Sequence, residues 1–405
     1  MAFATSPTII QVTGSVTQNA FTGVAGYNGN LAPVLVTTTS GNTTSYAIGA
    51  APKSAALSGV IATTAAQTVS AVVSNQVLDR VTELRAEHQN NSSGGGAPLG
   101  YADSEMLALA DPTALVVKGP PPSPAPTYPV ATWARAFGDL EARTGNASYT
   151  FAGASSNPDL GYHQRTGGLL GGADFSINGV TSSKDALILG AFAGYTAAIV
   201  NLNTSGTIQN YSGGTFGAYA TYLNGPFFAD LMFKTDILGL NITGVALNQS
   251  TGTRNYSFIG NIGYRFDFDK GWYAEPTAGL DYTLTDFTQQ YALTATTVAL
   301  TDGDVFRGRI GSRIGVAWVD NNIRYEPSLT ALAYEVFQST TSTALLSGPT
   351  GFSLPSDVGK VRGELQAVLN VFDLTTHVSG FVRGDLRFGE DLVGGGAKLG
   401  VRYQW

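Results

Sequence analysis

The sequence has no cysteine, no apolar run of about 18 residues and few charged residues, which make up 13% of its 405 positions. Without cysteine, disulfide frameworks and cysteine-based metal sites are excluded, and export through an oxidising compartment is compatible with the composition. Without a long apolar run, helical membrane spans are disfavoured, because each needs roughly 20 residues. The formal net charge of −7 and the lack of a basic patch argue against nucleic acid as a partner.

The first residues, MAFATSPTII, lack the basic start and the long apolar core of a signal peptide. Because an exported protein needs such a signal, this start predicts an excised C-terminal part of a longer precursor. Residues 1–57 hold one charged residue, Lys53, and short β-prone pieces at 8–12 and 33–39. Two interpretations of residues 1–57 stay open: the end of a secreted, β-solenoid-like passenger, or a leader with no task of its own.

In the next segment, residues 58–90, the spacing of the apolar residues becomes helical. Apolar residues recur there at helical spacing, namely Val69, Val73, Val77, Val81 and Leu84. They predict an amphipathic helix from Thr64 to Glu87, about 36 Å long, with Thr64 and Gln67 as a capping box. Because repeating strands follow, we expect this helix to be threaded through a pore, and an ordinary surface helix is the alternative.

Residues 91–129 have the composition of a linker that separates this helix from the rest of the chain. A Gly- and Ser-rich stretch comes first, followed by a short predicted helix from Asp103 to Ala110. The segment GPPPSPAPTYP at 119–129 excludes helix and central strand and predicts an extended spacer. A domain boundary is therefore expected before residue 130.

From residue 130 to the end, apolar and polar residues alternate in twelve segments. These segments are 130–142, 162–177, 185–200, 211–223, 227–239, 253–268, 272–285, 305–319, 323–336, 358–372, 376–388 and 395–405. In the fifth segment, Phe227, Leu231 and Phe233 share one face, and Asp230 and Lys234 share the other. Because successive side chains of a strand point to opposite faces, each segment predicts a strand with one apolar and one polar face.

The links between segments and the aromatic residues both support a barrel. Tight turns are predicted at 224–226, 269–271 and 320–322, and the links between them are expected to run from about ten to over twenty residues. Aromatic residues near strand ends are expected to form interfacial girdles, as for Trp272, Tyr273, Trp318, Tyr325 and Phe388. Together these features predict an all-β membrane protein, a 12-stranded antiparallel transmembrane β-barrel with the N-terminal amphipathic helix inside its lumen.

The polar faces carry charges that suit a hydrated lumen, whereas a β-sandwich needs an apolar inner face on both sheets. The residues predicted to face the lumen are Asp230, Lys234, Asp236, Arg265, Glu275, Asp281, Arg307, Arg309, Arg362, Glu364, Arg383 and Arg387. The last strand, GGAKLGVRYQW, places Leu399 and Val401 toward lipid together with its two terminal aromatic residues. Tyr403 and Trp405 are the predicted assembly signal.

A helix followed by twelve strands with an aromatic end resembles the translocator domain of classical monomeric autotransporters, the type V secretion proteins. The first strand, ATWARAFG at 131–138, is similar to the W-x-R-x-F-G start of that family, and RYQW at 402–405 is similar to its closing strand. The resemblance covers residues 58–405. It implies a barrel in the bacterial outer membrane that exports its own N-terminal passenger to the cell surface.

The resemblance also extends to a subgroup of self-cleaving serine-protease autotransporters. The helix piece SNQVLDRVTELR at 74–85 is similar to the lumenal segment that this subgroup cuts between two adjacent asparagines. The matching pair here is Asn75-Gln76, which keeps the first asparagine and lacks the second. Because the second asparagine is missing and the linker to the first strand is longer than in that subgroup, the sequence favours a solvated helical asparagine over cleavage, and the chain is otherwise predicted not to be an enzyme.

Two rival functions share the barrel architecture. One is a diffusion porin or channel, in which the N-terminal stretch is incidental. The other is an outer-membrane lipase, for which His377 and Ser379 are the candidate pair. The three histidines, His88, His163 and His377, lie on separate elements, so neither a metal site nor a cofactor is predicted.

The expected partners follow from the translocator interpretation. They are outer-membrane lipid, the barrel assembly machinery, periplasmic chaperones and the protein's own passenger segment. No nucleic acid is expected, and the chain is predicted to be a monomer.

Overall fold

A computed structural model describes residues 10–13, 31–53, 55, 58–92, 130–146, 148–151, 154–182, 185–245, 247–291, 297–340, 352–353 and 358–405. Twelve antiparallel strands form a closed barrel, which confirms the predicted fold class. In chain order they are β1 Val130–Arg143, β2 Tyr162–Asn178, β3 Asp185–Leu202, β4 Ile208–Asn224, β5 Phe227–Gly244, β6 Leu247–Tyr264, β7 Trp272–Phe287, β8 Gly303–Val316, β9 Ile323–Ser339, β10 Val361–Asp373, β11 Val378–Gly389 and β12 Leu392–Gln404.

The barrel closes where the last strand meets the first. Strand β12 pairs with β1 from Leu392 opposite Arg143 to Gln404 opposite Ala131. The backbone N–H of Trp405 extends this seam by donating to the carbonyl of Val130 at 3.1 Å. Because closure gives each barrel strand a partner on both sides, the sheet has no free edge, as hydrocarbon surroundings require.

Short connections lie at one end of the barrel, the turn end, and the remaining connections lie at the other, the loop end. The predicted tight turns are confirmed, and Asn321 and Asn322 both take positive φ, as a type I′ hairpin turn requires. The expectation of long links throughout the loop end is wrong. Strands β3 to β6 run for 17 or 18 residues, so β5 and β6 join through residues 245–246 alone.

Two belts of aromatic residues lie on the outer face. The belt nearer the loop end is Phe233, Phe258, Tyr282, Phe306 and Phe337, in which successive rings lie on adjacent strands. The belt at the turn end contains Tyr264, Phe266, Trp272, Trp318, Tyr325, Tyr403 and Trp405. Ten residues of tilted strand β7 separate Trp272 from Tyr282, which corresponds to about 25 Å and matches the apolar band of an outer-membrane barrel.

Three details of the predicted strands and girdle are corrected by the structure. The sixth segment breaks after Tyr264 into a short strand Phe266–Asp267, and a single 3₁₀ turn Asp269–Gly271 leads into β7. The eighth segment breaks before a short strand Trp318–Asp320. Tyr273 belongs to no girdle, because its ring is buried in the lumen and its hydroxyl donates to Glu326 Oε1 at 2.7 Å.

The helix, α1, spans Ser58–Ser92 and is about 52 Å long. It begins six residues before the predicted start, so the capping box is wrong: Thr64 and Gln67 lie inside the helix. The Ser58 hydroxyl donates instead to the carbonyl of Ala55 at 2.6 Å. Among the described residues, no helix is long and apolar enough to cross a membrane.

Two small sheets accompany the barrel. Near the N-terminus, Ile10–Thr13, Leu31–Ser40 and Thr43–Pro52 form an antiparallel sheet, of which the sequence predicted the first two strands only in part. At the loop end, Ser148–Phe151 pairs with Ala154–Ser156 and with Phe352–Ser353. The predicted helix at 103–110 and the spacer at 119–129 lie outside the described residues.

Candidate functional site

Helix α1 lies inside the barrel and crosses the lumen from end to end. At the loop end, the Ser58 carbonyl accepts a hydrogen bond from Gln209 Nε2 at 2.7 Å, and the Thr63 hydroxyl donates to the Thr301 carbonyl at 2.8 Å. At the turn end, Glu87 forms an ion pair with Arg402, three residues before the end of the chain. Ser58, the first residue of the helix, therefore lies at the end of the barrel opposite to Trp405.

One wall of the lumen is apolar, which the sequence did not predict. The helix packs there against β2 to β7, and its predicted valine stripe is fully buried. Toward the loop end, Ile61, Ala62, Ala65, Ala66 and Val69 contact a cluster that includes Tyr162, Val200, Tyr211, Leu240, Ile242 and Leu300. Toward the turn end, Val73, Val77, Val81 and Leu84 contact Trp133, Phe137, Ile188, Phe192, Tyr219, Phe228, Met232 and Ile259.

Polar groups on this wall bind the helix backbone and its small side chains. The Tyr211 hydroxyl donates to the Ala62 carbonyl at 2.9 Å. Lys234 Nζ donates to Ser70 Oγ at 2.6 Å, and Asp236 holds the same ammonium at 2.6 Å. Arg135 donates to the carbonyl of Gln76. These contacts fix the helix in depth and rotation, which an apolar stripe alone does not do.

Near the turn end, charged residues of the helix pair with charged residues of the barrel wall, and we call this set the helix lock. Its pairs are Arg80 with Asp174 at 2.5 Å, Arg85 with Asp230 at 2.6 Å, Asp79 with Arg383 at 2.5 Å and with Lys398 at 3.1 Å, Glu83 with Arg135 at 3.0 Å, and Glu87 with Arg402. The barrel partners come from β1, β2, β5, β11 and β12. The lock therefore ties the helix to opposite sides of the wall.

The Arg80–Asp174 pair is the most buried part of the helix lock. The Arg80 side chain is fully buried, and both its Nε and Nη2 donate to Asp174 Oδ2, at 3.0 and 2.5 Å. The Tyr219 hydroxyl donates to the other Asp174 oxygen and accepts from Trp133 Nε1 at 3.1 Å. Both charges thus have hydrogen-bond partners, which a buried ion pair needs to offset its desolvation.

Arg80→Met is expected to lower the free energy of unfolding by about 3–5 kcal/mol, because it leaves Asp174 as a buried carboxylate without its cation. Thermal unfolding of the detergent-solubilised protein measures this change. Adding Asp174→Asn should recover part of the loss, since the orphaned charge is then removed. Arg254→Met, at an exposed position on the outer face of β6, is the matched control. Equal melting temperatures of the Arg80→Met and Arg254→Met variants would contradict a stabilising role of the helix lock.

A second close contact lies at the loop end. Residues 297–302 fold over the start of the helix, with Val298 and Leu300 buried and Gln249 bonding both backbone groups of Val298, at 2.9 and 3.3 Å. A Cβ atom on Gly59 would overlap the Ala299 carbonyl oxygen. Only glycine therefore fits at this position without a shift of the loop or the helix.

Gly59→Ala is expected to destabilise the protein by about 1–3 kcal/mol, the usual effect of overpacking a tight contact. Gly138→Ala is the control, because a Cβ on this outward-facing glycine of β1 meets no atom within 4 Å. Melting temperatures of the two variants provide the comparison. A Gly59→Ala protein with the same melting temperature as the parent would show that the contact of Gly59 with residues 297–302 is not tight.

The remaining predicted lumen residues mostly pair with one another. Arg265 and Arg313 flank Glu275 at 3.6 and 2.6 Å, Arg307 pairs with Asp281 at 2.5 Å, Arg387 pairs with Asp139, Arg362 lies 3.4 Å from Asp391, and Glu364 accepts from Gln366 at 2.5 Å. Arg309 lines two lumen cavities beside the helix. It also lines a pocket of about 840 Å³ whose other lining residues mostly face lipid. The lumen-facing residues predicted from the sequence did not include Asp174, Arg135, Lys398 and Arg402, although strand parity alone places all four on the inner face.

The candidate catalytic residues do not form a catalytic constellation in the described part of the chain. His377 lies in the turn between β10 and β11 with φ of 61°, so it does not share a strand face with Ser379. His163 is exposed on the outer face of β2. Among the described residues, no group of three or more His, Asp or Glu is placed to hold a metal ion.

The predicted cleavage pair lies in the middle of the helix. The Gln76 side chain is buried and donates to the Val72 carbonyl at 3.1 Å, whereas Asn75 faces two lumen cavities. Cleavage at this bond stays a prediction. Mass analysis of the purified protein tests it, and an intact chain across Asn75-Gln76 contradicts it.

Comparison with known proteins decides the family. The model of the autotransporter β-domain family matches residues 131–385. The chain belongs to the autotransporter β-domain family. Autotransporter β-domains are outer-membrane translocator barrels and are generally non-enzymatic. No curated protein matches the chain in sequence.

Solved structures of autotransporter β-domains are similar to the chain. The β-domain of the Bordetella autotransporter BrkA has 20% identity and a TM-score of 0.55 over 68% of this chain and 100% of that one. The transport unit of AIDA-I from Escherichia coli has 14% identity and a TM-score of 0.49, over 75% and 97%. The translocator domain of NalP from Neisseria meningitidis has 11% identity and a TM-score of 0.47, over 69% and 90%.

The W-x-R-x-F-G start of this autotransporter β-domain has a structural role in holding the helix. Trp133, Arg135 and Phe137 all face the lumen. Trp133 and Phe137 belong to the apolar cluster around the helix, and the Arg135 guanidinium lies between the rings of Trp133 and Phe381, 5.1 and 4.8 Å from their centroids. The motif therefore joins the closing seam of the barrel to the helix lock.

Proposed function

We propose that this β-domain exports its own N-terminal passenger across the outer membrane to the cell surface. The observation that carries the proposal is the path of the chain, which enters the lumen at the loop end at Ser58 and leaves it at the turn end, where Trp405 also lies. Because the C-terminal barrel anchors the chain in the membrane, this path puts the segment before Ser58 on the far side, the side of the membrane opposite to Trp405. The far side is the cell surface when the turns face the periplasm, as in bacterial barrels.

The helix acts as a plug in this proposal. The helix lock and the two apolar clusters hold it in place, and the cavities left beside it at the middle of the lumen are about 80 and 60 Å³. Cavities of this size hold only a few water molecules each. This geometry favours a closed translocator over a diffusion porin, which needs an open aqueous channel.

The partners of this translocator follow from its surface. The two aromatic belts and the apolar band between them are the contact surface for outer-membrane lipid. The aromatic pair Tyr403 and Trp405, with ring centroids 5.7 Å apart, is the signal offered to the barrel assembly machinery while chaperones carry the chain through the periplasm. We propose a monomer, because the closed barrel leaves no strand edge for pairing with a second copy.

Surface exposure of the N-terminal segment tests the export proposal. An epitope inserted after Ser40, in the turn of the N-terminal hairpin, is expected to bind antibody and to be cut by protease in intact cells. An epitope between residues 110 and 111 is the matched control and should be reached only after the outer membrane is opened. A hairpin epitope that stays hidden in intact cells would favour the channel and refute export.

A further inference from the structure

Strand β8 carries three inward-facing arginines, and one of them differs from the others in its cross-strand neighbours. Arg307 lies opposite Asp281, and Arg313 lies opposite Glu275, with N–O distances of 2.5 and 2.6 Å. Arg309, between them, lies opposite Gly279 on β7 and Tyr334 on β9. The register that gives two of the arginines a carboxylate thus gives the third none.

Arg309 forms no hydrogen bond or ion pair with any residue that the structure describes. Its guanidinium takes the room left by Gly279, where a Cβ atom would lie 2.8 Å from Arg309 Nε. The side chain is half-buried within the barrel, beside the middle of the helix. An arginine without a partner at such a depth leaves up to five N–H donors for a ligand from solution.

Two cavities meet at this side chain. The first, about 80 Å³, continues toward Arg313, Gln366 and Arg383, and the second, about 60 Å³, continues toward Arg307 and Arg387. Arg309, Asn75 of the helix and Leu332 of β9 line both cavities. Each cavity is large enough for a small hydrated ion and too small for an organic anion with several carbon atoms.

The charges around the two cavities favour an anion. Most acidic groups around the cavities already form ion pairs: Asp281 with Arg307, Glu275 with Arg313, and Asp79 of the helix with Arg383 and Lys398. Glu364 accepts a hydrogen bond from Gln366, and Glu83 pairs with Arg135. Glu364 also has no described cation partner, but basic side chains outnumber acidic ones around both cavities. The first is lined by Arg85, Arg309, Arg313 and Arg383 against Asp79, Glu83 and Glu275, and the second by Arg307, Arg309 and Arg387 against Asp281 and Glu364.

We propose that Arg309 and the adjoining cavities form a binding site for a small monovalent anion such as chloride. The anion accepts hydrogen bonds from the guanidinium, and the amide of Asn75 lies on the helix side of the same space. The site couples anion binding to the seated helix, because Asn75 reaches the cavities only when the helix is in the lumen. The proposal does not depend on export of the passenger.

Crystals of the full chain soaked in bromide test the location of the site. An anomalous difference peak is expected within hydrogen-bond distance of the Arg309 guanidinium, and Arg309→Gln is expected to lose this peak. Arg309→Lys keeps the charge and should keep a weaker peak. A parent crystal without a peak at Arg309, or a peak that persists in Arg309→Gln, overturns the proposal.

Thermal unfolding tests the same site in detergent solution, at equal ionic strength, with sodium chloride or sodium gluconate. Chloride is expected to raise the melting temperature of the parent relative to gluconate, because gluconate is too large for the cavities. Arg309→Gln should lose this difference, and Arg254→Gln, on the outer face, should keep it. Equal melting temperatures of the parent in the two salts, or a difference that survives in Arg309→Gln, overturns the proposal. Surface exposure of the hairpin epitope is expected to be the same in both variants, so that failure of this proposal and failure of export are distinguishable.

Discussion

Deletion of residues 58–92 is expected to raise the single-channel conductance of the barrel roughly tenfold, because it removes a cylinder 10–12 Å wide from a lumen otherwise filled by side chains. The helix spans the whole lumen, and its valine stripe is fully buried against β2 to β7. Without it, the apolar wall and the inner ends of the helix lock would be exposed to water. Planar-bilayer recording of the purified protein measures the change.

The control for this deletion removes the N-terminal hairpin, residues 31–52, which precedes the helix and is not part of the barrel sheet. This deletion should leave the conductance at the parent level. An unchanged single-channel conductance after deletion of residues 58–92 would contradict the plug hypothesis. A change of similar size in both deletions would mean that the N-terminal hairpin, too, blocks the mouth.

Trp405→Ala is expected to reduce the amount of protein in the outer membrane about tenfold, which corresponds to a loss of ~1.4 kcal/mol in recognition by the assembly machinery. The Trp405 side chain is half exposed at the turn end and lies against Tyr403, with 5.7 Å between ring centroids. Its backbone N–H also bonds to Val130, the first residue of the seam. Quantitative blotting of outer-membrane fractions measures the effect.

Trp318→Ala is the matched control for the terminal tryptophan. Trp318 is exposed to a similar degree, belongs to the same aromatic belt and stacks on Tyr325 at 5.7 Å, but it does not lie in the closing strand. Its loss should change the outer-membrane level by less than about twofold. Normal levels of Trp405→Ala, or equal losses in both variants, would refute a special role for the end of the chain.

The barrel itself was predictable because its signal is local. Alternation at a period of two residues can be recognised within ten positions, and each of the twelve predicted segments overlaps one barrel strand. Parity also places the predicted lumen residues on the inner face, since the side of a strand is known once one apolar residue on it is assigned to lipid. The tight turn at 320–322 was predictable from its Asp-Asn-Asn sequence, which suits the positive φ values of a hairpin turn.

The errors arose where distant parts of the chain set the outcome. The helix begins at Ser58 because Gln209 and the loop at 297–302 bond its first two turns, and nothing near Thr64 in sequence shows this. Tyr273 looked like a girdle residue because it lies near a strand end, although its parity with Glu275 already places it on the inner face; the register of the barrel decides that its hydroxyl meets Glu326. Strands β5 and β6 continue beyond their predicted ends because they pair with each other up to residues 244 and 247.

The sequence by itself determined a twelve-stranded barrel, a helix with one valine stripe and a set of charges directed inward, since each of these depends on side-chain periodicity along a short stretch. The tertiary structure alone decided which of those groups meet. Arg80 and Asp174 are 94 residues apart, and Lys398 and Asp79 are 319 apart, so their pairing depends on closure of the barrel around the helix. The register of β7 and β8 places Arg307 and Arg313 opposite carboxylates and Arg309 opposite Gly279. A shift of one residue along β7 would replace all three of these cross-strand partners, so the tertiary structure alone decides them.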